Sequence, residues 1–159
     1  MQTYFPEQQF IQLVSSTDFP HYASVSVLVV EKTHLFTLLR NDDQVASFLH
    51  AQMPAPTQAD QVRDFLELFA ELRGYEIVAE KPEAQDTRIG EGRRAVPDAG
   101  RFDLEIGEDP HVWQIKASLR TDPTYSGSIY RYTFSLPRTD RRNLRVNRGE
   151  LQFIEHLIR

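Results

Sequence analysis

The stretch Arg101–Ser118 limits this chain most, because its alternation permits few conformations. It reads RFDLEIG, then EDP, then HVWQIKAS. Phe102, Leu104 and Ile106 alternate with Asp103 and Glu105, while Trp113, Ile115 and Ala117 alternate with Val112, Gln114 and Lys116. A period of two sends each set to its own face, so the segment predicts a β-hairpin with one apolar and one polar side. Closing it around Gly107–Pro110 sets Asp103 directly across from Gln114, with Lys116 as the diagonal neighbour of Asp103. A carboxylate, an amide oxygen and an amine then converge on one face. That is the minimum equipment for a metal-dependent hydrolytic site.

A chain of 159 residues suits one ordinary domain with a real core. Its 40% apolar and 26% charged residues are those of a globular protein. No apolar run approaches the roughly 18 residues that cross a bilayer, and MQTYFPEQQF lacks the basic start and apolar core of a signal peptide. No membrane association is therefore expected. With no cysteine there is neither a disulfide framework nor a thiolate metal site, and a cytoplasmic location fits. The net charge of −5 hides an asymmetry: residues 1–86 hold 13 acids against 5 bases, and residues 87–159 hold 10 against 13. Between 110 and 148, Lys116, Arg120, Arg131, Arg138, Arg141, Arg142, Arg145 and Arg148 face only Asp122 and Asp140. Such a patch favours polyanions, or is an unevenly charged solvated surface.

Along the chain, Phe10, Leu13 and Val14 have helical spacing within Pro6–Ser15. Tyr22–Val30 reads as a strand, Glu31–His34 as a turn and Leu35–Leu39 as the return strand. Asn41 or Asp42 caps a short helix through Gln52, and Thr57 caps a longer one, with Asp60 in capping-box position. That helix carries Val62, Phe65, Leu66, Phe69 and Leu72 as one stripe, stops at Gly74, and is followed by a strand at Tyr75–Glu80. Lys81–Gly100 lacks periodicity and reads as a functional or disordered loop. In Ile129–Leu136, Tyr130, Tyr132 and Phe134 share one face of a strand, with Arg131, Thr133 and Ser135 on the other. Arg138–Arg148 reads as a basic linker and Glu150–Ile158 as a closing helix. The fold class is α+β: a single domain with a central mixed β-sheet flanked by helices. It comprises an N-terminal extension (1–54), a core (57–136) and the basic linker with its helix (138–159).

A helix ending in Gly-Tyr, a strand, a loop, then FDLEI and VWQIKAS resembles the PD-(D/E)xK nuclease superfamily, in a Q-x-K form. The resemblance covers roughly Thr57–Leu136 and implies a restriction-endonuclease-like core. It implies a magnesium ion held by Asp103, Gln114 and the main-chain carbonyl of Ile115, with Lys116 positioning or activating the attacking water. Gln114 stands where the family carries an acid, and the literal Pro97-Asp98 lies five residues before Asp103. The implied activity is metal-dependent hydrolysis of nucleic acid by an endonuclease or exonuclease. Arg131, Arg138, Arg141, Arg142 and Arg145 would then follow the phosphate backbone.

A half-exposed hairpin also alternates apolar and charged residues for structural reasons alone, and an Asp103–Lys116 ion pair needs no catalytic role. The five histidines show no metal-ligand spacing, and neither a phosphate loop nor a G-x-S-x-G elbow occurs. The alternative is a non-catalytic protein-binding module acting as a homodimer, or an accessory protein of a mobile element or restriction system, including a degenerate nuclease core. An apolar surface patch away from the hairpin would mark that alternative.

Overall fold

The computed structural model describes residues 4–16, 23–33, 35–80, 102–121, 128–139 and 143–154. The expected loop 81–100, with Pro97-Asp98, lies outside these residues, as do 155–158 of the expected C-terminal helix.

Three strands open the chain: β1 (Gln8–Ser16), β2 (Ala23–Glu31) and β3 (Phe36–Leu39). They form one antiparallel sheet in that order. Two helices follow, α1 (Asp42–Gln52) and α2 (Ala59–Arg73). The rest is a second sheet of β4 (Glu76–Val78), β5 (Glu105–Glu108), β6 (Val112–Thr121), β7 (Ser128–Pro137) and β8 (Arg145–Ile154). Its order is β4-β6-β7-β8, and β5 also pairs with β6. The chain is thus α+β, consistent with a single domain. In place of the expected mixed sheet, every strand pair among the described residues is antiparallel. β4 and β5 share one edge of β6 end to end: Val78 pairs with Ser118, and Glu105 with Lys116.

The helix boundaries follow local chemistry. Asn41 Oδ1 accepts from the Gln44 N–H at 2.9 Å and starts α1. α2 is capped by Gln58 rather than Thr57. Thr57 instead gives its N–H and hydroxyl to Gln61 Oε1, at 2.7 and 3.1 Å, so a glutamine one turn on replaces the expected aspartate. Gly74 ends α2 at φ 66°, a left-handed conformation in which other residues are strained. The Gln12 amide reaches across from β1 and donates to two carbonyls of the last turn of α2, those of Leu72 and of Glu71, the latter also accepting the Gly74 N–H.

α2 is apolar around most of its circumference. Val62, Phe65, Leu66, Leu68, Phe69 and Leu72 join one buried cluster with Val27 and Val29 of the first sheet and Trp113, Ile115, Tyr132 and Phe134 of the second. The Phe69 and Phe134 rings meet edge to face at 5.0 Å. Each such side chain contributes about 1.5–3 kcal/mol by leaving water. Trp113 is buried with its indole N–H on the Pro56 carbonyl at 3.0 Å.

One polar node crosses this core. Asp42, in the first turn of α1, accepts from Arg73 Nε at 2.7 Å, Tyr75 at 3.0 Å and Tyr132 at 2.9 Å. Arg73 also donates to the Val25 carbonyl of β2. Both helices and the second sheet therefore meet at one carboxylate, and Arg73 ties the first sheet to it. Burial, then the nearby Asp42 charge, pushes the Tyr75 hydroxyl above its usual pKa. Burial, then Tyr75 and Asp42, does the same to Tyr132.

Two expected helices are strands. Pro6–Ser15 forms β1, because its apolar residues serve two faces: Phe10 packs on Phe5 and Phe48 inside, while Ile11 and Leu13 point out. Glu150–Ile154 belongs to β8, as does the end of the expected linker from Arg145 onward. Two register shifts against β7 interrupt the alternation of β8, so its pattern imitates a helix. Gly149 sits in one of them, where a Cβ would lie 2.6 Å from the Arg131 carbonyl oxygen.

Candidate functional site: two sheet faces of opposite character

The hairpin exists, but its register differs from the expected one. Glu105 faces Lys116, Gly107 faces Gln114 and Glu108 faces Trp113. The turn is centred on Pro110-His111: the Asp109 N–H donates to the Val112 carbonyl at 3.2 Å, and the Asp109 carboxylate accepts the His111 N–H at 2.9 Å. Aspartate first and proline second are the residues such a turn favours, and they draw it away from Gly107. The displacement is even, so the polar residues keep their shared face.

On that face the expected ligands separate. Arg131 Nη1 donates to the Asp103 carbonyl at 2.7 Å and to the Ser118 hydroxyl at 3.3 Å, which sets Asp103 level with Ser118. Gln114 is four residues from Ser118 along β6, about 13 Å at strand rise. Its amide oxygen accepts from Ser135 at 2.9 Å. Ile115 lies between Ile106 of β5 and Phe134 of β7, so its main-chain groups belong to the ladders. Glu105, which the sequence left in a minor role, holds the centre: Arg131 lies 2.8 Å from one of its oxygens and Lys116 3.6 Å from the other.

The expected ligands, as placed, do not fit one magnesium ion: Asp103 stands level with Ser118, about 13 Å from Gln114, and the Arg131 guanidinium lies 4.0 and 2.8 Å from the carboxylates of Asp103 and Glu105. No cluster of three or more His, Cys, Asp or Glu able to hold a metal occurs among the described residues. Two of the five expected backbone-binding arginines are likewise engaged. Arg131 is consumed as above, and Arg138 pairs with Glu108 at 2.8 Å with its guanidinium 4.2 Å from the Trp113 ring centre. Arg145 is exposed at the start of β8; Arg141 and Arg142 lie outside the described residues.

The outer face of the first sheet is the opposite case. Ile11, Leu28 and Leu38 form one cross-strand row, with Val30–Phe36 on one side and Leu13 on the other. Phe36 is 65% exposed, Ile11 and Leu13 44% and Leu38 40%. Val27, Val29 and Leu39 of the same strands are buried on the inner face. An antiparallel sheet wet on one side alternates apolar with polar residues, and this one is apolar on both sides. The signal was present in the uninterrupted run Val27-Leu28-Val29-Val30, which puts apolar residues on both faces of β2. No helix of the described residues is long and apolar enough to cross a membrane. No protein-family model, curated protein or solved structure matches the chain.

Proposed function

We propose that this chain is a non-catalytic protein-interaction module that docks a partner on the outer face of β1–β3. The contiguous apolar rows on that face carry the reading: single exposed apolar side chains are ordinary, but a patch spanning three strands is a binding surface. Its described positions (Gln9, Ile11, Leu13, Ser15, Ser26, Leu28, Val30, Phe36 and Leu38) include no charge, so the partner presents an apolar, uncharged complement. With about half of each side chain still wet, burying Phe36, Ile11, Leu13 and Leu38 contributes about 1 kcal/mol apiece.

The test uses Phe36→Ser and Leu38→Ser. Replacing exposed residues shifts stability by no more than about 0.5 kcal/mol, yet each variant should bind the partner roughly 5- to 10-fold more weakly. Cross-linking in cells should capture one partner with the wild type and lose it from both variants at unchanged thermal stability. Unchanged capture would overturn the reading. So would Mg²⁺-dependent cleavage of DNA or RNA that disappears in Lys116→Ala, because it would restore the hydrolytic reading of the hairpin.

A further inference from the structure

Among the described residues, β1 is an edge strand without the usual protection. Free edges are normally blunted by charge, proline or a bulge. β8, the edge of the second sheet, has Arg145, Arg148 and Glu150 and two register shifts. β1 reads QQFIQLVSS, with no charge, proline or glycine, and pairs with β2 through nine consecutive residues without a shift. Every side chain from Ile11 to Ser15 is exposed. Val14 is 64% exposed although its strand position puts it on the inner side, paired with Val25.

The order of these nine residues says what would pair there. Polar and apolar positions run polar, polar, apolar, apolar, polar, apolar, apolar, polar, polar, a palindrome centred on Gln12. Antiparallel pairing with an identical strand about a two-fold axis at Gln12 matches Phe10 with Val14, Ile11 with Leu13, Gln9 with Ser15 and Gln8 with Ser16. Apolar meets apolar and polar meets polar at every step, and like charges never meet because there are none. An arbitrary foreign strand has no reason to show this symmetry, whereas a two-fold interface requires a self-complementary surface. We infer that two copies of this chain pair through β1, joining their first sheets into one six-stranded sheet whose outer face is a doubled apolar surface. Val14, left exposed in one copy, is then covered by Phe10 of the second. The inference rests on the docking reading for the role of that doubled face, but it can fail separately.

The experiment is sedimentation velocity on the full chain from about 1 to 100 μM, with wild type, Val14→Lys, Ser15→Lys and Phe36→Ser. Wild type and Phe36→Ser should sediment as dimers. The two lysine variants should be monomers that keep the wild-type circular dichroism; Ser15→Lys stands in if Val14→Lys misfolds. Because the chain has no cysteine, register is read directly: a mixture of Ile11→Cys and Leu13→Cys should cross-link on oxidation, and neither alone should. A wild type that stays monomeric at 100 μM overturns the inference while leaving the docking face untouched. A dimer dissolved by Phe36→Ser but not by either lysine also overturns it, since the copies would then meet face to face. Cross-linking by either single variant alone rejects the two-fold register.

Discussion

Asp42→Ala should be among the most damaging single substitutions in this protein, although it removes no apolar surface. The carboxylate accepts three hydrogen bonds, from Arg73, Tyr75 and Tyr132, and the side chains of Arg73 and Asp42 are only 10% and 20% exposed. Breaking a buried ion pair from one side costs about 3–5 kcal/mol, mostly because the surviving charge is left without compensation. The solvent still reaching Asp42 argues for the lower end, about 3 kcal/mol. For a chain of this length that lowers the melting temperature by roughly 6–12 °C. Exposed pairs such as Lys32 with Glu7, each side chain 67% exposed, are worth at most about 1 kcal/mol and set the contrast. The assay is calorimetry on wild type, Asp42→Ala, Tyr132→Phe and the double variant. Tyr132→Phe alone should cost about 1 kcal/mol. The double variant should lose less than the sum by about 0.5 kcal/mol or more, because both changes break one bond. Adding Arg73→Met to Asp42→Ala should restore part of the loss by removing the stranded cation. A cost below about 1 kcal/mol for Asp42→Ala, or strict additivity in the cycle, would refute the idea that this node ties the layers together.

Gly149→Ala should lower the urea midpoint by the equivalent of about 1–3 kcal/mol, since the new methyl meets the Arg131 main-chain oxygen at 2.6 Å and backbone cannot step aside; a wild-type midpoint would show that β8 can shift. Arg131→Met should cost about 1–2 kcal/mol by thermal denaturation, with Lys116 left as the cation beside Glu105. Stability should also fall in alkali. The Tyr75 and Tyr132 hydroxyls are favoured protonated in the fold, so their contribution is complete below the unfolded value near 10 and is lost as pH climbs above it. Urea midpoints between pH 9 and 11.5 should therefore drop, and drop less steeply in Tyr132→Phe.

Where one local rule governed, the fold was legible in the sequence. The stripe from Val62 to Leu72 with Gly74 behind it could only be a helix with a stop, and Tyr130-Arg131-Tyr132-Thr133-Phe134 alternates without interruption along β7. Misreadings arose where two rules overlapped. Phe10, Leu13 and Val14 fit a helix until Ile11 is given a face of its own. In β8 two extra residues broke the period that identifies a strand. The hairpin showed its faces but not its register, because alternation is blind to an even displacement and Asp109 set the turn through a side-chain bond. The apolar outer face of β1–β3 went unread for a related reason: a strand apolar on both faces carries no alternation to detect.

The single edge that β4 and β5 occupy on β6 has a further meaning. Both run the same way along it, and the chain leaves at the level of Ser118 and returns at the level of Lys116, about 7 Å further on. Geometrically they are one strand with a detour spliced into it, and only one residue would be needed to close the gap between Val78 and Glu105. The detour therefore makes no demand on sheet register, and its length can change at a cost that grows only with the logarithm of its size. The register of β6 on this edge is thus set by its own pairings with Val78 and Glu105, whatever number of residues joins the two.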